Sequence, residues 1–145
     1  TNFALYGDLS KRVMNVMSTE VNQMEVYSVD EAFLDFTDYA TKERGVALKE
    51  KVKQWTGIPV SVGIAPTKVL SKVASHIAKK HTKSGVFMFD DEDLIRRALN
   101  VFPVEAFYAA SGNLFYSKGD DFFRFRICPI GGMNYDILNT KKGLL

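Results

Sequence analysis

The acidic segment that decides the fold of this chain reads Tyr27-Ser28-Val29-Asp30-Glu31-Ala32-Phe33-Leu34-Asp35-Phe36. Its two adjacent carboxylates, Asp30 and Glu31, stand at the head of a short apolar run. Neighbouring side chains on a regular strand point to opposite faces, so the two acids can serve one site only where the chain turns or bulges. Two interpretations stay open: a solvated turn before a strand, or a hairpin tip with a functional acidic pair, since buried charge needs a partner or a metal.

Strands and helices alternate along the rest of the chain, without an internal repeat. Strands are predicted at residues 23–28, 31–36, 59–65 and 86–89. Helices are predicted near residues 5–16, 39–55, 67–80 and 90–99, and the apolar stripe of the second consists of Ala47, Leu48, Val52 and Trp55. Thr67 is placed to cap the third helix, and Gly57 to end the second. The alternation favours an α/β fold with a sheet covered by helices mainly on one face.

The composition is that of one soluble globular domain. The chain has 145 residues, of which 46% are hydrophobic and 25% charged, with a formal net charge of +2. Such a chain can bury one ordinary core. The single cysteine, Cys128, excludes an internal disulfide and indicates a reducing, cytoplasmic compartment. We find no apolar stretch long enough to span a bilayer and no signal segment, so we expect no membrane partner.

Three lysines lie on one side of the helix predicted after Thr67. At about 100° per residue, Lys68, Lys72 and Lys79 fall within about 40° of one another, opposite the apolar arc. We predict that they form an outward-facing row. The row is either a solvated surface or a set of counter-charges for the phosphates of a nucleotide or a nucleic acid. His76 and His81 do not share a helix face, and we do not expect them to bind a metal.

The segment from Ser28 to Asp35 resembles the S-[IV]-D-E-A-[FY]-L-D signature of the Y-family, or translesion, DNA polymerases. In particular, it resembles the UmuC-like branch, also called the ImpB/MucB/SamB group. Similarity continues in the family's order at residues 2–8, 10–14, 59–68 and 72–74. The resemblance covers roughly residues 1–105 and implies a palm-like α/β (α+β) fold with a mixed or antiparallel sheet.

The resemblance also implies a function and a set of site residues. The family adds deoxynucleotides to a primer opposite damaged template, in DNA repair and the SOS response, by Mg²⁺-dependent two-metal phosphoryl transfer. It implies metal ligation and catalysis by Asp30 and Glu31. Ala78-Lys79 matches the Ala-Lys pair whose lysine contacts the incoming triphosphate, and we predict that Lys68 and Lys72 contact DNA. The implied partners are primer-template DNA, a deoxynucleoside triphosphate and protein partners of the polymerase.

The family pattern extends beyond what the chain matches. The family begins with a strand that bears a metal-binding aspartate, followed by the fingers, and continues into a thumb and a little finger. We therefore expect a partial palm domain at residues 1–105 and an unassigned aromatic-rich tail at 106–145, from a truncated or frameshifted gene. We expect the chain alone to be inactive. The alternatives are a non-catalytic palm remnant that binds DNA or a partner protein, and an unrelated α/β domain with a structural acidic turn.

The tail contains one segment with strand character. Apolar residues alternate with Arg124 and Arg126 over residues 122–127, the pattern of a strand with one apolar and one charged face. We predict that this segment packs on the palm sheet, where it would take the position of the family's first strand and cover an exposed edge. The competing interpretation is an aromatic and basic surface that stacks on single-stranded nucleic acid.

Overall fold

A computed structural model describes residues 2–36 and 40–102, together with the backbone of residues 125–128. Within these residues the helices are α1 Phe3–Ser18, α2 Lys42–Thr56, α3 Lys68–His81 and α4 Glu92–Val101. The strands are β1 Met24–Ser28, β2 Glu31–Leu34, β3 Ser61–Ile64, β4 Val86–Met88 and β5 Phe125–Cys128. None of the helices in these ranges combines the length and the apolar character that a membrane crossing needs.

Local signals in the sequence set the ends of the helices. The hydroxyl oxygen of Thr67 accepts a hydrogen bond from the amide of Leu70 at 3.3 Å, which satisfies one of the unpaired donors at the start of α3. At the end of α2, Gly57 has a φ of 74° and donates its N–H to the carbonyl of Lys53 at 2.8 Å. This left-handed conformation favours glycine. The predicted cap at Thr67 and the predicted helix end at Gly57 are therefore both confirmed.

The strands form one mixed sheet in the order β1-β2-β5-β3-β4. Strand β5 is antiparallel to both of its neighbours, and β3 and β4 are parallel. The backbone of Ile127 is in register with Ala32 on one side and with Val62 on the other. The predicted α/β class with a mixed sheet is therefore confirmed, and a strand from the tail lies at the centre of the sheet.

The division of the chain at residue 105 stays a prediction. Residues 103–124 and 129–145 lie outside the described ranges, including the first part of the segment predicted to be a strand at 122–127. The sheet nevertheless contains strands from both predicted segments, since β5 belongs to the tail and the other four strands precede residue 105.

The main core lies between one face of the sheet and helices α1 and α2. Alternate residues of β2 and β3 point into it, and their partners come from the apolar faces of the two helices. The fully buried members include Val13, Met17, Ala32, Leu34, Val52 and Val62. Helices α1 and α2 therefore each bury an apolar face against the sheet.

The opposite face of the sheet is covered at its β3–β4 end. Helix α3 packs against Gly63, and a second apolar cluster joins α3 and α4 to residues that include Ala65 and Phe89. Helices thus lie on both faces at this end, whereas we expected them mainly on one face. The physical reason is that α3 and α4 have apolar arcs of their own to bury. Over β1 and β2, this second face carries the side chains of the candidate site.

Candidate nucleotide and metal site

The two predicted acids lie at a hairpin between β1 and β2. Asp30 is in the two-residue turn, and Glu31 is the first residue of β2. The hydroxyl of Ser28 donates a hydrogen bond to a carboxylate oxygen of Asp30 at 2.7 Å and accepts one from the Asp30 amide at 3.4 Å. The pairing register shifts between Val26 and Ser28. Such a shift changes the direction of side chains at the end of a strand. Asp30 and Glu31 are adjacent, so they need a change of this kind if both are to serve one site.

Four side chains of the hairpin share the face that is turned towards α3. Glu25 is in register with Phe33, and residues two apart on a strand point the same way, so Tyr27 and Glu31 lie on this face as well. The rings of Tyr27 and Phe33 meet edge to face, with their centroids 5.5 Å apart. The face therefore alternates carboxylates with aromatic rings.

Lys72 of α3 reaches this face and is buried there. Its ammonium nitrogen lies 3.6 Å from a carboxylate oxygen of Glu31 and 4.4 Å from the centroid of the Tyr27 ring. Only 3% of the Lys72 side chain is exposed, compared with 18% for Glu31. A buried ammonium needs compensation, and here the carboxylate and the negative face of the ring contribute to it.

Lys68 makes a similar contact one turn earlier on the helix. Its ammonium donates a hydrogen bond to Glu25 at 2.8 Å and lies 5.5 Å from the centroid of the Phe33 ring. Two lysine–acid pairs with interleaved rings thus join α3 to the hairpin. We call these side chains the lysine–acid cluster: Glu25, Tyr27, Glu31, Phe33, Lys68 and Lys72.

The predicted outward-facing lysine row is wrong for Lys72. Helical periodicity correctly placed Lys68 and Lys72 on one face, but the hairpin lies against that face and buries the Lys72 ammonium. The DNA contacts predicted for Lys68 and Lys72 stay predictions. For Lys72, such a contact would require its ammonium to leave Glu31 and Tyr27.

Lys79 is exposed in the last turn of α3. It lies two helical turns from Lys72, or about 10 Å along the axis at about 1.5 Å per residue. Its charge is favourably placed at a helix C-terminus, where the helix dipole is negative. The structure therefore brings Glu31 and Lys72 together and leaves Lys79 further along the same helix. The contact of Lys79 with a triphosphate stays a prediction.

His76 is also part of α3, and its environment disfavours a positive charge. Its ring meets that of Phe102 edge to face, with centroids 5.1 Å apart. Burial lowers the pKa of the His76 imidazole below its ordinary 6.5, and the positive charges of Lys80, His81 and Lys79 lower it further. The folded protein therefore binds a proton at this ring less readily than the unfolded chain does.

We expect the free energy of unfolding to fall as the pH drops through 6.5 towards the lowered pKa of His76. In that window the unfolded chain binds more protons at this residue than the folded chain, so acid favours unfolding. Above pH 6.5 the ring is neutral in both states, and this contribution vanishes. Urea titrations between pH 7.5 and 5 should give a steeper dependence for the wild type than for His76→Gln. Identical dependences in the two proteins would contradict this assignment.

The chemistry of the acidic pair suits a hard cation. Carboxylate oxygens are ligands that Mg²⁺ prefers, and Asp30 and Glu31 are adjacent at the hairpin. Among the residues that the structure describes, no group of three or more His, Cys, Asp or Glu side chains could hold a metal ion. Asp30 and Glu31 would suit one weakly held Mg²⁺ with water at its other positions.

Sequence reasoning did not identify Glu25, Tyr27 and Phe33 as members of the site. A signal for them was present in the sequence. Residues 25 and 27 precede a short turn, residues 31 and 33 follow it, and the members of each pair are two positions apart. That spacing predicts a shared face for each pair. It did not predict which helix would lie over the face.

Comparison with known proteins places this chain among a group of relatives. A sequence model described as the impB/mucB/samB family matches residues 1–76. The chain is 40% identical over 116 residues to Protein UmuC of Salmonella typhimurium, and the match covers 72% of this chain and 26% of the relative. It is 34% identical over 97 residues to DNA polymerase IV of Saccharolobus solfataricus, and the match covers 63% of this chain and 27% of the relative. The chain therefore spans about a quarter of the length of these relatives.

The mixed sheet, the acidic hairpin and these matches together define a UmuC-like fragment of the Y-family DNA polymerase class. Within that class, the chain belongs to the impB/mucB/samB family.

Proposed function

We propose that this chain is the palm portion of a translesion DNA polymerase, which adds deoxynucleotides to a primer opposite damaged template in DNA repair and the SOS response. The observation that carries the proposal is the contact between Glu31 and Lys72 at 3.6 Å, in a chain of the impB/mucB/samB family. These residues come from two separate segments that resemble the family, and their contact supports a shared site that would include Asp30, the neighbour of Glu31 in sequence. The partners would be primer-template DNA, a deoxynucleoside triphosphate and other proteins of the polymerase complex, in the cytoplasm.

The proposed roles follow from the position of each side chain. Asp30 and Glu31 would hold Mg²⁺ and act as catalytic acids, with Asp30 oriented by the Ser28 hydroxyl and Glu31 by Lys72. Bound Mg²⁺ supplies positive charge that stabilises phosphoryl oxygens. Two-metal phosphoryl transfer by the whole polymerase would require a further carboxylate besides these two. Lys79 would neutralise charge on the triphosphate, and Lys68 would contact DNA.

We expect the chain alone to show no efficient primer extension with Mg²⁺ or Mn²⁺. The reason is that Asp30 and Glu31 are too few carboxylates to hold two ions in catalytic geometry. The measurement is incorporation of labelled deoxynucleotide by the purified chain beside an Asp30→Ala control. Robust extension that disappears in Asp30→Ala would overturn the expectation of inactivity.

Binding of a nucleotide is the direct test of the proposed site. We expect the chain to bind a deoxynucleoside triphosphate in the presence of Mg²⁺, and Lys79→Glu to weaken this binding about tenfold or more, because an attraction becomes a repulsion. Lys53→Glu is the matched control, since Lys53 is an exposed lysine in the last turn of α2. Equal titration curves for the wild type and Lys79→Glu would count against the site.

A further inference from the structure

We propose that Lys72 is a built-in counter-cation that competes with a divalent metal ion for Glu31. This inference rests on the proposed function, because it concerns the same acidic pair. Lys72 would then be a positioning residue that sets how strongly the pair binds metal, instead of a surface lysine that contacts DNA.

The burial of Lys72 is the first observation behind this inference. With 3% of its side chain exposed, its ammonium is largely removed from water. Removing an ammonium from water is unfavourable unless a negative group compensates for it. The Glu31 carboxylate at 3.6 Å and the Tyr27 ring at 4.4 Å are such groups. In the folded state, the contact with Glu31 therefore stabilises the buried ammonium of Lys72.

The two acids of the pair differ in their partners, which is the second observation. Asp30 accepts a hydrogen bond from the neutral Ser28 hydroxyl at 2.7 Å, whereas Glu31 is paired with a charged lysine. A neutral donor leaves the charge of Asp30 available to a cation. The ammonium offsets one of the two negative charges of the pair, so a metal ion meets a weaker attraction than two carboxylates would provide.

Competition follows from the space and charge around Glu31. A Mg²⁺ ion bound to a carboxylate lies about 2.1 Å from its oxygen. The ammonium of Lys72, which is 3.6 Å from such an oxygen, would then be a like charge close to the ion. Either the metal is repelled or Lys72 must leave Glu31 and lose its compensation. Both outcomes lower the affinity of the pair for metal.

Lys68 offers a comparison within the same helix. It also pairs with an acid, but its partner is Glu25 on β1, and its side chain is 21% exposed. The contact between Lys72 and Glu31 involves neither member of this pair. The inference is thus specific to one of two similar lysine–acid pairs.

The test is a titration of the purified chain with Mn²⁺, in which the free ion is followed by electron paramagnetic resonance. We expect Lys72→Met, which keeps the length of the side chain without its charge, to bind Mn²⁺ about tenfold or more tightly than the wild type. A like charge near a bound ion is strongly repelled even at an effective dielectric constant of about 20. Lys53→Met, which removes an exposed lysine in the last turn of α2, should bind as the wild type does.

A double-mutant cycle assigns the effect to Glu31. If Lys72 acts through Glu31, Lys72→Met should give no gain in Mn²⁺ affinity in a Glu31→Gln background.

Circular dichroism checks that each variant is folded. Lys72→Gln, which retains a polar group, is the second variant if Lys72→Met does not fold. The rise in melting temperature with Mn²⁺ provides an independent readout, and it should be larger for either Lys72 variant than for the wild type.

The outcomes separate this inference from the proposed function. If Asp30→Asn weakens Mn²⁺ binding while both Lys72 variants bind as the wild type does, the acidic site stands and the competition is refuted. If Asp30→Asn and Glu31→Gln both bind as the wild type does, the metal site itself is refuted, and the inference with it.

Discussion

Removal of residues 106–145 is expected to abolish cooperative folding of this chain. Strand β5 lies between β2 and β3 and pairs with both, so its loss separates the β1–β2 hairpin from the parallel β3–β4 pair. Each part would then expose a row of unpaired backbone groups, which invites aggregation. Since total stabilities are only about 5–15 kcal/mol, we expect a sheet that is divided at its centre to lose its folded state.

Urea unfolding followed by circular dichroism is the measurement for the truncated chain. A soluble product with the same unfolding midpoint as the whole chain would contradict the central role of β5.

A point substitution tests the same feature without removal of the tail. Ile127→Pro eliminates one backbone donor in a strand with neighbours on both sides, and proline is disfavoured at such a position. Ile127→Val is the matched control, because it keeps both the donor and a β-branched side chain.

A second large loss of stability is expected from Gly63→Ala. A Cβ atom at this position would lie 2.1 Å from the backbone nitrogen of Ser75 and 2.3 Å from the carbonyl oxygen of Ser71. These are backbone atoms of α3, so no side chain can rotate away to relieve the overlap. The helix would have to move off the sheet, and we expect the free energy of unfolding to fall by about 3 kcal/mol or more.

Gly7→Ala is the matched control for that substitution. Gly7 lies within α1, and a Cβ atom there would meet no other atom within 4 Å. Alanine has a higher helix propensity than glycine, so this change should stabilise the protein by up to about 1 kcal/mol. Denaturant midpoints of the two variants should move in opposite directions. A Gly63→Ala protein as stable as the wild type would mean that α3 is not held this close to β3.

The Gly63 contact also bears on the candidate site. It holds α3 against the sheet, and Lys68 and Lys72 are carried by the first turns of that helix. A displaced helix would move both lysines relative to Glu25 and Glu31. We therefore expect Gly63→Ala to disturb the lysine–acid cluster as well as the fold, which makes it unsuitable as a probe of the site alone.

The sequence by itself determined the features that depend on neighbours along the chain. The turn with Asp30, the cap at Thr67 and the helix end at Gly57 each involve hydrogen bonds or backbone conformations within a few residues. Local interactions of this kind leave a signature in the residues that make them. Periodicity likewise identified the residues that share a helix face, including Lys68 and Lys72.

Only the tertiary structure decided what each face meets. Trp55, predicted within the apolar stripe of α2, is 65% exposed and has the Lys51 ammonium 5.0 Å from its ring centroid. Lys72, predicted to face outward, is buried against Glu31. Strand β5 is part of the segment predicted to pack on the sheet, but its position between β2 and β3, which are far from it in sequence, was not predicted. The physical reason is common to all three: a periodic pattern states which side chains point together, whereas burial depends on packing between segments that are distant along the chain.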